Sequence, residues 1–184
     1  MMDSPIKIGL VYGSTRAGRF CDTVARWAAG QVGSREGFAL EHIDPAATES
    51  GGKVLALKQR VAACDAFIVV TPEYNHGYPA PLKELIDSFG PEWHAKPVAF
   101  VSYGGISGGL RAVEQLRLVF AELHAVTIRD SVSFAGAWEQ FDANGALRDP
   151  ERAERSMDAM LGRLHWWAVS LAHARSIWPY AKTA

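Results

Sequence analysis

The chain is 184 residues long, room for one domain with a substantial core, and its 48% hydrophobic and 21% charged residues exclude a disordered chain. Lys and Arg number 19 against 20 Asp and Glu, a formal net charge of -1, so no general pull toward nucleic acid or an anionic membrane is expected. No run approaches the roughly 18 apolar residues that span a bilayer, and Met1 to Lys7 lacks the order of a secretory leader, so the expectation is one soluble, cytoplasmic domain over residues 1–184.

Ile6 to Tyr12 reads as a nearly continuous apolar strand that runs into the small-residue loop Gly13 to Phe20. Phe20, Val24, Trp27 and Ala28 then recur at helical spacing on one face. Phe38 to Ile43 forms a second strand, and Ser50-Gly51-Gly52 separates it from a helix over about Val54 to Cys64. The third strand, Ala66 to Val70, is apolar throughout, as expected where both faces of a parallel sheet are covered, and it ends at the dense loop Thr71 to Tyr78. Pro81 suits the first turn of the next helix, whose Leu82, Leu85, Ile86 and Phe89 line one side before Gly90-Pro91 stops it. Pro97 to Ser102 is a fourth strand, Tyr103 to Gly109 a glycine-rich loop, and Val113, Leu116, Phe120 and Leu123 mark a helix. Val126 to Phe134 supplies a fifth strand. After a turn at Asp142-Ala143-Asn144-Gly145, Pro150 opens a final helix to about residue 173. Cys21 and Cys64 lack the close spacing of a zinc site or a redox dithiol, so both read as reduced core residues.

Strands that alternate with helices from end to end imply a three-layer α/β sandwich around a parallel sheet with right-handed crossovers. Five strands suit the order 2-1-3-4-5, in which ligands bind at the carboxyl ends of the strands, beside the switch point between the first and third. The loops after strands one, three and four should therefore share a site.

In the first loop, small residues at a strand end let backbone N–H groups converge on an anion, with Arg16 and Arg19 adding charge and Ser14 and Thr15 nearby. Gly13 and Gly18 have the spacing of a nucleotide-triphosphatase loop, but Arg19-Phe20 stands where that chemistry needs Lys and Ser or Thr, so a triphosphatase is not expected. The bland alternative is a tight turn with two solvated arginines. The second loop, Pro72-Glu73-Tyr74-Asn75-His76-Gly77-Tyr78, offers an aromatic, an amide and exposed backbone to a flat, polar-edged heterocycle, with Gly77 allowing close approach. The third, Ser102-Tyr103-Gly104-Gly105, continues that flat site. Within it, Gly105-Ile106-Ser107-Gly108-Gly109 matches a nucleophile elbow, with Asp142 or Asp158 and then His165 or His173 following in hydrolase order. An elbow needs its serine on the turn itself, whereas Ser107 lies several residues past the strand end, and a hydrolase leaves the arginine loop unexplained.

Gly13-Ser14-Thr15-Arg16, Pro72-Glu73-Tyr74-Asn75 with the following His76 to Lys83, and Ser102-Tyr103-Gly104-Gly105 resemble the three loops of the NADPH-dependent FMN reductase family over about residues 6–125. The resemblance implies a flavodoxin-like fold with tightly held FMN. It further implies that Ser14, Arg16 and Phe20 flank the FMN phosphate, that Pro72 to Asn75 and Gly77 follow the ribityl chain and ring, and that Ser102 to Gly105 cover the ring edge. The implied activity is ping-pong electron transfer from NADPH or NADH to a quinone, azo compound, metal oxyanion or free flavin, with Tyr74 and Tyr103 near an open ring face and no catalytic side chain required. A non-enzymatic flavodoxin-type carrier is the alternative, although such carriers usually have strongly acidic surfaces.

A homodimer, or a dimer of dimers, is also expected. In the last helix Met157, Met160, Leu161, Leu164 and Leu171 form one stripe, and Trp166 falls on the opposite face. Either a second copy covers it or the tail from Ser176 to Ala184, with Trp178 and Tyr180, folds back over it. The helix from Pro81 to Phe89 and the nearby Trp93 could add a second contact surface.

Overall fold

The computed structural model describes residues 4–47 and 52–182. Five strands, β1 (Ile6–Tyr12), β2 (Phe38–Ile43), β3 (Ala66–Pro72), β4 (Pro97–Gly104) and β5 (Val126–Ala135), form one sheet in the order β2-β1-β3-β4-β5, with every neighbouring pair parallel. Between them run α1 (Cys21–Gly33), α2 (Gly52–Ala62), α3 (Ala80–Asp87) and α4 (Leu110–Glu122); α5 (Ala137–Gln140) and α6 (Glu151–Ile177) follow β5. The flavodoxin-like architecture and the strand order are those expected from the sequence.

Side chains on a strand alternate between faces, and β3 divides its residues accordingly. Ile68 and Val70 join Val24 and Ala28 of α1 and Met157, Met160, Leu161 and Leu164 of α6 in one core cluster. Phe67 and Val69 join Leu57, Val61, Leu82, Ile86, Val113, Leu116 and Phe120 of α2, α3 and α4 in the other. This two-sided burial explains the continuous apolar runs of β1, β3 and β4. Gly9 of β1 is a packing device: a Cβ there would lie 2.6 Å from Phe67 Cδ1, so the phenyl ring occupies the side-chain position that β1 vacates.

Several element ends differ from expectation. Strand β3 continues through Thr71 and Pro72 and β4 through Tyr103 and Gly104, because ladder pairing of Thr71 with Ser102 and Pro72 with Tyr103 depends on backbone, not on hydrophobicity. The last helix runs to Ile177, and the short α5, entered through Gly136 at φ 62, was not anticipated. Of the glycine-rich separator before α2, Gly52 opens the helix, and Ser50 and Gly51 lie outside the described residues.

Trp93 corrects the expected second contact surface. It is fully buried, packed edge-on against Phe67 at 4.6 Å and Phe120 at 5.5 Å, with its indole N–H donating to Ile86 O. The stripe of α3 likewise points inward. Cys21 and Cys64 are free and buried, as expected. Among the described residues no helix is long and apolar enough to cross a membrane, and no group of three or more His, Cys, Asp or Glu could hold a metal ion.

Lys96, at the amino end of β4, is buried, and its ammonium donates to Val61 O at 3.2 Å and Ala62 O at 2.8 Å, capping the C-terminus of α2. Burial, with Arg175 nearby, lowers its pKa to about 8. The unfolded ammonium keeps a value near 10.4, so between these values the unfolded chain binds the extra proton. The wild type should therefore gain stability relative to Lys96→Met as pH rises from about 8 toward 10. Urea unfolding of both proteins across that range checks this, and parallel stability curves would place the lysine in solvent.

Candidate functional site

All five strands point the same way, so the loops after β1, β3, β4 and β5 open at one end of the sheet. There they enclose a cavity of about 510 Å³, lined among others by Arg16, Gly18, Phe20, Tyr74, Gly104 and Trp138.

The first loop leaves β1 under close constraint. Gly13 N–H donates to Val70 O at 2.8 Å, and a Cβ at Gly13 would lie 2.6 Å from that oxygen, so only glycine fits against β3. The two arginines then separate in role. Arg19 is 9% exposed; it grips both carboxylate oxygens of Asp44, at the end of β2, reaches Asp22 at 2.8 Å, and donates to Ser14 O. Those partners, the Asp44 hydrogen bond foremost, hold the guanidinium firmly protonated. It ties the loop to the neighbouring strand. Arg16 has no carboxylate partner among the described residues, and its guanidinium lies 3.6 Å above the centre of the Tyr74 ring. The N–H groups of Thr15, Ala17 and Gly18 likewise find no acceptor among the described residues, and α1 carries no side-chain N-cap. Of these residues Arg16, Ala17 and Gly18 line the cavity beside the start of α1, which brings free donors and one unspent cation to the same opening.

The second loop is a tight two-residue turn. Tyr74 and Gly77 exchange backbone hydrogen bonds of 2.9 and 3.1 Å, and the central Asn75 and His76 both take positive φ, 50° and 72°. Asn tolerates that region; His does so at a cost. The Tyr74 hydroxyl lies 2.9 Å from Ser14 Oγ, which joins the second loop to the first.

The third loop folds back through Gly108 and Gly109, at φ 60° and 84°, where Ser102 and Ser133 hydroxyls both donate to Gly108 O. A Cβ on Gly109 would lie 2.8 Å from Ser102 Cβ, so the chain passes directly over β4. Ser107 Oγ donates to Glu73 Oε2 at 2.7 Å.

Of the residues singled out from sequence, Arg16, Arg19, Phe20, Pro72, Glu73, Tyr74, Tyr103 and Gly104 line the cavity. Ser14 and Ser102 are completely buried behind it, and their hydroxyls are engaged within the protein. Thr15, Asn75 and Gly105 sit exposed at loop tips, and Gly77 lies against Gln115. Tyr103 is 3% exposed, and its hydroxyl turns inward to the Cys21 thiol; burial first, then Cys21, pushes the phenol well up. It contributes a ring edge and backbone, not a free phenol. Trp138 was missed. It follows β5, whose loop opens at the same end of the sheet, and its ring packs on Phe20 at 6.1 Å while Phe20 meets Tyr103 at 5.8 Å. Strand polarity was the signal that could have found it.

The hydrolase arrangement does not form. His165 packs edge-on against Phe38, at the amino end of β2, and His173 lies two residues from Arg175, which donates to Ala95 O beside the amino end of β4. Ser107 lies past the carboxyl end of β4, a strand length away. Asp158 pairs with Arg35, and Asp142 accepts N–H groups of its own turn, from Asn144 and Ala146.

A family model described as NADPH-dependent FMN reductase matches residues 6–139. An NAD(P)H-dependent FMN reductase of Schizosaccharomyces pombe is 37% identical over 121 residues, 56% of this chain and 60% of that protein's own length. A probable NADPH:quinone oxidoreductase of Oryza sativa subsp. japonica is 33% identical over 177 residues, 85% of this chain and 89% of the relative. The solved structure of FerB, a flavoenzyme NAD(P)H:(acceptor) oxidoreductase from Paracoccus denitrificans, superposes with a TM-score of 0.70 at 20% identity, covering 91% of this chain and 97% of that one, a likeness of fold. The match takes in the first three loops that close the cavity and Trp138 as well, and on that extent the chain belongs to the NADPH-dependent FMN reductase family, oxidoreductase enzymes that use FMN and take electrons from NAD(P)H.

Proposed function

We propose that the protein passes electrons from NAD(P)H, by way of FMN held in the 510 Å³ cavity, to a small acceptor such as a quinone, an azo compound, a metal oxyanion or free flavin, in ping-pong order. One observation carries this: a single cavity joins an anion cradle at one end to an aromatic-walled slot at the other. Its volume falls within the range of small-molecule sites, roughly 300–1,000 Å³. Bound FMN supplies hydride acceptance and release of electrons singly or in pairs.

The chain's own residues divide the work of holding it. The N–H groups of Ala17 and Gly18, with Arg16, take the phosphate, with Thr15 at the rim; Arg19 keeps that loop in place through Ser14 O. Pro72, Tyr74, Tyr103 and Gly104 wall the ring, and Phe20 and Trp138 exclude water from one side. Asn75 and Gly105 stand exposed at the rim. No acid–base pair is needed, because the hydride chemistry is the flavin's own. A flavodoxin-type electron carrier is the competing reading; purified protein that oxidises NADPH rapidly with a quinone as sole acceptor supports the enzyme, and protein that binds FMN without consuming NADPH supports the carrier.

Arg16→Ala should weaken FMN binding roughly ten- to hundredfold, since a charge-assisted hydrogen bond to phosphate contributes about 1.5–3 kcal/mol. Riboflavin, which lacks the phosphate, should bind wild type and variant alike. Fluorescence titration with both flavins checks this, and an unchanged FMN affinity would remove Arg16 from the site.

The active unit is a homodimer, in which the face of α6 bearing Trp166 meets a second copy, in a cytoplasmic setting consistent with two free thiols. Trp166 is 61% exposed, and among the described residues its ring pairs with that of Trp167, at 5.1 Å. Among the described residues the tail, to Lys182, turns elsewhere: Tyr180 hydrogen-bonds His124 and packs on His94. Activity and mass should fall together on dilution. Sedimentation across a wide concentration range checks this, and a fully active monomer at micromolar concentration would overturn it.

A further inference from the structure

Three side chains near the cavity, those of Glu73, Ser107 and Arg111, contact one another, although Glu73 belongs to the stretch that the family resemblance sets along the ribityl chain and ring. Glu73 follows β3 and is 6% exposed, yet it carries a carboxylate. Both of its oxygens are engaged. Oε2 accepts the Ser107 hydroxyl at 2.7 Å and the Arg111 backbone N–H at 3.1 Å; Oε1 lies 2.7 Å from Arg111 Nε in an ion pair without a hydrogen bond, since that buried N–H finds no acceptor among the described residues, and Arg111 Nη1 meets the His76 ring. Burial opposes ionisation here, and the Ser107 hydroxyl with the Arg111 charge and N–H outweigh it, holding the carboxyl below its usual range.

Helix α4 begins at Leu110 behind Gly109, which has no side chain to cap it. Its first-turn N–H at Arg111 is instead satisfied by a carboxylate from a different loop, which is also the favourable sign of charge for a helix N-terminus. A second strap runs in the same direction. Gln115, one turn after Arg111 on the same face of α4, donates from Nε2 to His76 O at 2.9 Å, and so holds the strained corner of Asn75 and His76. Glu73, Tyr74 and Gly104 line the cavity, whereas Ser107 and Arg111 do not. The straps therefore lie outside the cavity and the walls they join lie inside it.

From this placement we infer that Glu73 is a positioning residue, whose carboxylate latches the loop after β3 to the start of α4 and thereby sets the spacing of the two loops that wall the flavin ring. The inference rests on the cavity being the FMN site. It also accounts for the sequence Gly105-Ile106-Ser107-Gly108-Gly109: the serine is a tether, and the glycines let its loop reach Glu73 while passing over β4.

The test is a double-mutant cycle with Glu73→Gln and Arg111→Met, read by titration with FMN and with riboflavin, by the visible spectrum of the flavin at saturation, and by hydrogen exchange without ligand. Each single variant should weaken both flavins by about tenfold, the scale of one charge-assisted hydrogen bond. Equal loss for riboflavin distinguishes the ring end from the phosphate end. The double variant should be no weaker than the poorer single one, because the two side chains act as one unit. Bound-flavin bands should shift in Glu73→Gln, and exchange should quicken in residues 73–78 and 105–111 while residues 13–18 stay as in wild type. A Glu73→Gln protein that binds both flavins as wild type does, or losses that add in the double variant, would overturn the latch and leave the FMN reading standing. A wild type that takes up neither flavin would overturn the FMN reading and the latch with it.

Discussion

Parallel pairing of β1 with β3 at the centre of the sheet is the constraint on which the rest of this structure depends. A parallel ladder cannot be closed by a tight turn, so each connection crosses the sheet through a helix. Both faces are then covered, and every strand ends at the same edge. Chain direction reverses its lateral progress between β1 and β3, and the loops on either side of that point part to leave an opening. The cavity is a consequence of topology before any particular side chain enters it.

Charge is distributed unevenly around that opening. Arg19 is satisfied by Asp44 and Asp22 and fixes the course of the first loop, whereas the Arg16 guanidinium lies over the face of Tyr74 with no carboxylate partner among the described residues. A guanidinium stacked on an aromatic ring keeps its donors available, while one gripped bidentately by a carboxylate has spent them. Neighbouring arginines of one loop are therefore spent differently, one on holding the loop to β2 and one left with its donors at the cavity wall. Glu73 follows the same logic in reverse: its charge is consumed inside the protein although its backbone borders the cavity. Tyr74 links the two ends, since its hydroxyl meets Ser14 and its ring supports Arg16.

The layered fold, strand order and positions of the elements were legible from sequence because period and punctuation are local properties. The apolar run of β3, the stripe of α3 ending at Gly90-Pro91 and the buried stripe of α6 each state their own environment. Element ends were less legible, as β3 and β4 show: Thr71, Pro72 and Tyr103 extend the ladder because a partner strand lies alongside, not because of their own character. Trp93 misled for a related reason. A tryptophan between Pro91 and His94 looks like a surface loop residue, and only the packing of Phe67, Phe89 and Phe120 around it makes it core.

By itself the sequence determined which three loops meet and that glycine, arginine and aromatic residues gather in them, since strand order and loop content are readable without coordinates. It also determined that Trp166 faces away from the core, by helical period alone. Only the tertiary structure decided how each side chain in those loops is used. Arg19 and Arg16 are interchangeable in a string of letters, and so are a nucleophilic serine and a tethering one. The difference lies in partners distant in sequence: Asp44 for Arg19, Tyr74 for Arg16, Glu73 for Ser107. Hydrogen bonding and ion pairing act over a few ångströms of space, and sequence spacing does not report that distance once the chain has folded.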